Sequence, residues 1–156
     1  NSKIWMSVML NILALDVATK TGWRTATASG VWDFTLKRDE SSGMRLIRFK
    51  SKLKEIFELE NIGIVSFERT AGRHKAAIIV QSELHGVLKS FCEENKIQYI
   101  AYSAKEIKKH ATGNGNASKD AMIKEAERRK RLPVVDDNEA DAYLLYDYTN
   151  FMLNNE

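Results

Sequence analysis

The chain of 156 residues has the length of one ordinary domain, and its 44% hydrophobic content is enough for a substantial core. A formal charge of +3 is too small for a uniformly basic coat; Lys and Arg concentrate in two stretches while acids dominate the C-terminal segment, which favours a basic rim around an acidic centre. The single cysteine, Cys92, excludes an intrachain disulfide scaffold and a cysteine-built metal cluster, and fits a reducing, cytoplasmic location. No stretch approaches the roughly 18 uncharged residues of a membrane span, and Lys3 and Trp5 spoil a signal-peptide pattern, so no membrane partner is expected.

Residues 1–9 have no clean period and read as an N-terminal extension of uncertain role, followed by one domain over 10–156. The apolar run 10–15 predicts a buried strand that ends at Asp16, and 16–22 the turn after it. Residues 23–36, with Trp23, Thr25, Thr27, Val31, Trp32 and Phe34 and with Gly30 as punctuation, predict a hairpin of two more strands. Between Ser41 and Leu59, Met44, Ile47, Leu53, Ile56, Phe57 and Leu59 recur at helical spacing. Residues 62–67 predict a short strand ending at Glu68, and 69–73 a glycine-containing turn. The span 75–94 is the clearest helix, its apolar face drawn from Ala76, Ile79, Val80, Leu84, Val87 or Leu88, and Phe91. Gly86 inside it costs about 1 kcal/mol relative to Ala and suggests close packing against a neighbour. A strand over 97–102, a short helix over 104–110 and a loop over 112–116 follow. Ser118 is placed to cap a helix over 119–131, Pro133 interrupts it, and a last helix is expected over 138–151. Three early strands and then two strand–helix alternations argue for an α/β fold with a mixed sheet flanked by helices.

Asp16 and Glu68 both end predicted strands, where their side chains converge if the strands are neighbours. Asp137 and Asp141 are four apart and Asn138 and Asp141 three apart, so either can share a helix face with Asp141. Ala142, Leu144, Leu145 and Tyr148 would dock that helix on the sheet. Clustered carboxylates suit a hard Mg2+ or Mn2+ ion, and two such ions about 4 Å apart activate water and stabilise a departing 3′-oxygen in phosphodiester hydrolysis. The competing reading of an acidic helix start is stabilisation of the helix dipole. No serine, histidine and carboxylate arrangement stands out, and the missing glycine fingerprint after the first strand argues against dinucleotide binding.

In order and spacing, Leu13-Ala-Leu-Asp16 with Thr21-Gly22, Val65-Ser-Phe-Glu68 and Asn138-Glu-Ala-Asp-Ala-Tyr-Leu-Leu145 resemble the RuvC family of Holliday junction resolvases, in particular its phage-type members, within the ribonuclease H-like superfamily. The resemblance spans roughly residues 10–151. It implies a ribonuclease H-like fold around a central five-stranded sheet, and a homodimer that binds four-way DNA junctions and makes paired, metal-dependent nicks. If the chain is phage-encoded, the location is the host cytoplasm. By motif position Asp16, Glu68 and Asp141 match three catalytic carboxylates. The fourth family acid usually lies three residues before the last, where this chain has Asn138. Either the Asn138 amide oxygen or the neighbouring Asp137 then fills the place, and the negative charge of Asp137 favours it.

The stretch from Ile107-Lys-Lys-His110 to Ala117-Ser-Lys119 looks like the family's DNA-facing segment. Lys108 and Lys119 match functional lysines there, with Lys119 a candidate for catalysis and Lys109 and His110 for DNA contact. Bacterial members often carry an aromatic residue just after the second acid; this chain has Arg69-Thr-Ala-Gly-Arg73, which shifts the expected junction contacts to Arg69, Arg73 and His74. Residues 105–131 carry nine Lys or Arg against four acids, a surface suited to phosphate. Ile78, Ile79, Leu84, Val87 and Leu88 are candidates for a dimer face. Two other functions remain open at this stage: a less selective nuclease of branched DNA or RNA–DNA hybrids, and a noncatalytic junction-binding protein.

Overall fold

A computed structural model describes residues 11–70, 72 and 74–155. The expected extension at 1–9 and Arg73 lie outside the described residues. In chain order the elements are β1 (Asn11–Asp16), β2 (Lys20–Arg24), β3 (Ser29–Asp33), α1 (Gly43–Leu59), β4 (Ile62–Glu68), α2 (Lys75–Glu94), β5 (Gln98–Tyr102), α3 (Ala104–Thr112), α4 (Lys119–Lys130) and α5 (Asp137–Asn154). The strands form one mixed sheet in the order β3-β2-β1-β4-β5. β1 runs antiparallel to β2 and parallel to β4, which runs parallel to β5.

Strand alternation sorts the core into two layers. Leu13, Leu15, Val65 and Phe67 point to the side covered by α1 and α2, where Phe49, Leu53, Leu84 and Leu88 are fully buried. Ile12, Ala14 and Ile64 point to the other side, under Ile107, Met122, Leu144 and Leu145 of α3, α4 and α5. The hydroxyl of Thr149 on α5 donates to Ser66 Oγ of β4 at 2.7 Å, both side chains buried, and pins the last helix to the middle of the sheet. Since Ser66 faces α5, Glu68 two residues on faces the same way.

Three local expectations are corrected. Residues 20–22 are strand, not turn: the Thr21 hydroxyl donates to the Ala18 carbonyl at 2.6 Å, which closes the reversal early and starts β2 at Lys20. Gly30 lies within β3, and its missing Cβ makes room for the Trp23 indole, 3.2 Å from where that carbon would be. Gly86 packs against nothing, since no described atom comes within 4 Å of its Cβ position. Periodicity also misplaced some core positions. Ile47 and Leu59 of α1 and Ile79 of α2 are exposed, whereas Phe49 is fully buried. Ala76 is exposed too, because the covered part of α2 begins only near Val80, which packs against the core.

Candidate active site

The site is assembled at the end of the sheet where β1 and β4 finish. Their ladder pairs Leu15 with Phe67, so Asp16 and Glu68 are the next residues of adjacent strands, about 4.8 Å apart across the ladder. On the far side of β4, Glu68 pairs with Tyr102 of β5, and the Arg69 N–H extends that ladder to the Tyr102 carbonyl at 2.8 Å.

Helix α5 brings the third acid. Asp136 caps it, its carboxylate accepting the Glu139 N–H at 3.0 Å, and Asp137 and Glu139 lie in the first turn, where the helix dipole favours negative charge. The helix can lie close to the sheet because Gly22 has no side chain. Gly22 is opposite Asp16 in the β1–β2 ladder, and the Asn138 carbonyl occupies the space beside it. Thr21-Gly22 therefore serves the site as a notch for the helix start.

Burial and mutual repulsion hold the carboxyls towards their protonated forms. Asp16 is raised well above its ordinary value by burial first, then by Asp141, Glu68, Asp137 and Asp136. Asp141 is pushed up to about 7 by burial, then by Glu68 and Asp137, with Lys108 and Lys119 opposing. Glu68 is raised by burial, with Lys108 again opposing. No hydrogen bond or ion pair among the described residues reaches these three carboxylates. The fields of five acids thus overlap at one place, with two lysines as the counter-charge on the same side.

The fourth position is divided. The Asn138 amide donates to Asp136 Oδ2 at 3.3 Å, whereas Asp137 ion-pairs with Lys119 at 3.6 Å and acts electrostatically on both Asp16 and Asp141. In donor type the cluster fits a hard divalent ion: oxygen ligands only, buried, and carrying excess negative charge. The side chains are not drawn into a closed cage, since among the described residues no group of three His, Cys, Asp or Glu is arranged to hold a metal ion. What brings the acids to one place is the β1–β4 ladder and the close approach of the α5 start to Gly22.

The other candidates fall into two groups. Lys108 is beside Glu68 and Asp141, and Lys119, the first residue of α4, is beside Asp137 and Asp141. Arg69, His74 and Lys109 are exposed, with His74 at the N-cap of α2. His110, two residues beyond Lys108, is turned to another side of α3. Its ring packs on Tyr148 and Phe151 at 5.2 and 4.8 Å, and its buried Nδ1 has no hydrogen-bond partner among the described residues. Much of the basic C-terminal end of α4 is engaged within the chain: Arg128 and Arg129 pair with Glu125, Arg129 also with Asp147, and Lys130 with Glu139. Leu84 and Leu88, taken as possible dimer contacts, are fully buried in the single chain, which leaves Ile79 exposed and Ile78 and Val87 half-buried on that helix.

The local roles of two residues that stand within the quoted motifs were not read from the sequence. Gly22 was placed in a turn, and Glu139 was passed over although Asp136-x-x-Glu139 has the spacing of a helix-capping box. The Glu139 carboxylate is fully buried and points away from the other acids.

No protein-family model matches the chain. A stretch of 68 residues is 41% identical to the crossover junction endodeoxyribonuclease RuvC of Brachyspira hyodysenteriae; it makes up 44% of this chain and 42% of that protein, so the match spans less than half of the relative. The fold is similar to that of Thermus thermophilus RuvC, with a TM-score of 0.72 and 15% identity over 92% of this chain and 98% of that one. It is likewise similar to T. thermophilus RuvC in complex with Holliday junction substrate, with a TM-score of 0.70 and 15% identity over 92% and 97% of the two chains. The yeast mitochondrial Holliday junction resolvase Ydc2 aligns with a TM-score of 0.66 and 14% identity over 92% of this chain and 78% of that one. The structural likenesses show a RuvC-like, ribonuclease H-like fold.

Proposed function

We propose that this chain is a metal-dependent endonuclease that resolves four-way DNA junctions by paired nicks. The observation that carries the reading is the convergence of Asp16, Glu68 and Asp141, from two parallel strands and one helix, at a sheet end that Lys108 and Lys119 approach. It is supported by a sequence relative named as a crossover junction endodeoxyribonuclease and by a RuvC-like fold known in complex with a Holliday junction.

In this reading Asp16, Glu68, Asp141 and Asp137 would hold Mg2+ or Mn2+, two ions per site; the Asn138 amide nitrogen donates to Asp136, and its amide oxygen is the alternative to Asp137 as fourth ligand. Such ions, when bound, lower the pKa of water and stabilise the departing 3′-oxygen. The chain's own groups do the rest. Lys108 and Lys119 neutralise a phosphate brought to the acids, which otherwise repel it. Arg69, His74 and Lys109 take further phosphates and set the strand's register. Asp137 is placed to exchange its Lys119 partner for a cation, freeing that ammonium for DNA. A homodimer through the exposed side of α2 presents two such sites to two symmetry-related strands.

The test is nicking of matched four-way, flap and duplex DNAs and of an RNA–DNA hybrid, with Mg2+ or Mn2+. Paired symmetric nicks in the four-way junction are expected. Asp16→Ala or Asp141→Ala should lower the rate by about 100-fold or more and leave junction binding in place. A folded wild-type dimer that binds junctions tightly with metal present and never nicks them would overturn the proposal.

A further inference from the structure

Glu139 is an acid that the nuclease reading leaves unused, in the middle of the segment that supplies two of its carboxylates. Its side chain is only 1% exposed. Oε2 accepts from Ser29 Oγ at 2.6 Å and from Lys130 Nζ at 2.6 Å, and Oε1 accepts the Val135 N–H at 2.7 Å. Its own N–H is taken by the Asp136 cap. In a capping box this glutamate would reach back to the cap's N–H. Here it reaches one residue further and gathers strand β3, the end of α4 and the loop before α5 onto one carboxylate.

Position decides what this network controls. Asp137 and Asp141 lie two residues to either side of Glu139, and at 3.6 residues per turn both point to the opposite side of the helix. The first turn is therefore held from behind by Glu139 and from the sheet by the Gly22 notch, where a Cβ would lie 1.8 Å from the Asn138 carbonyl oxygen. A turn clamped on two sides can keep two mutually repelling carboxylates in place without a cation.

We infer that Glu139 is a positioning residue, whose buried charge pair with Lys130 sets where Asp137 and Asp141 stand and thereby how well the site takes a divalent ion; this rests on the metal-nuclease reading. Glu139→Gln keeps the shape, but its single amide oxygen can accept from Val135 or from Ser29 and not from both, and it leaves the Lys130 ammonium without its counter-charge. Ser29→Ala removes one bond from outside α5 and is the milder change.

Both variants are compared with wild type by Mn2+ calorimetry on DNA-free protein, by junction binding in EDTA and by thermal melting. Glu139→Gln should weaken Mn2+ binding by about tenfold or more, with junction binding in EDTA within about twofold of wild type. Ser29→Ala should shift Mn2+ affinity in the same direction by less. A lower melting temperature with Mn2+ affinity within twofold of wild type would mark a purely structural residue and overturn the inference. If Glu139→Gln does not fold, Ser29→Ala decides: weaker Mn2+ binding supports the inference and unchanged binding overturns it. Wild-type protein that takes Mn2+ but never nicks a junction sinks the nuclease reading alone, and protein that takes no Mn2+ sinks both.

Discussion

The backbone carbonyl of Asn138 fills the space left by the missing side chain of Gly22, so that a Cβ on Gly22 would lie 1.8 Å from its oxygen and 2.3 Å from its carbon. Since Gly22 is paired with Asp16, this one contact sets the helix that carries Asp141 against the strand that carries Asp16.

Backbone cannot give way as a flexible side chain can, so Gly22→Ala must lift the first turn of α5 off the sheet. The expected outcome is a loss of about 2–4 kcal/mol of stability, as for severe overpacking, together with a loss of nicking larger than the loss of junction binding. Denaturant melts beside nicking assays check it; a soluble variant with wild-type stability and rate would refute the notch.

Asp141 is pushed up to about 7 from an ordinary value of 3.8, so the metal-free folded state holds a proton that the unfolded chain has already lost. The contribution of this group to stability is then fully present below pH 4 and is lost as pH rises through 7, by on the order of 4 kcal/mol. Asp141→Asn should accordingly raise the melting temperature of metal-free protein at pH 8, have little effect near pH 4, and lose its advantage when Mn2+ is added. Melts at the two pH values, with and without the ion, read this directly.

Lys108 and Lys119 oppose the raised carboxyls and are placed to meet phosphate. Replacing either with Ala should weaken junction binding and reduce the slope of log affinity against log salt by about 1 per lysine. His110→Ala should leave that slope unchanged, since its ring is packed on Tyr148 and Phe151. Binding titrations at several salt concentrations separate the two outcomes.

His85 is buried on α2, its Nδ1 3.2 Å from the Thr70 hydroxyl and its ring against Phe67, and burial followed by Lys89 lowers its pKa to about 4. Neutral imidazole is kept in the fold while the unfolded chain takes up a proton near pH 6.5. Stability should therefore fall as pH drops from about 6.5 to 4, by about 2–3 kcal/mol. His85→Asn should flatten that part of the pH–stability curve relative to wild type; an equally steep fall in the variant would refute the assignment.

The element order, the strand-end acids and the apolar stripe of α5 were legible in the chain because each depends on spacing within one turn or one strand. Ser118 as the α4 cap and Ala142, Leu144, Leu145 and Tyr148 as the docking side of α5 belong to this class, and the structure bears them out. Periodicity could not say which side of a helix is covered over its whole length, so Ile47 and Leu59 were read as core and Phe49 was missed.

What only the tertiary structure decided is how the acids of the segment 136–141 divide their work. By composition they are alike. Folded, Asp136 caps the helix, Glu139 disappears into a charge pair with Lys130 and Ser29, and Asp137 and Asp141 turn towards Asp16 and Glu68. Ser29, Gly22 and Lys130 come from distant parts of the chain, and the environment of a carboxylate is set by whatever long-range pairing brings beside it. The sequence by itself put acids at the ends of two strands and at the start of a helix; the pairing of β1 with β4, the register of β1, β2 and β4 and the notch at Gly22 decided that they gather at one sheet end and which of them face one another.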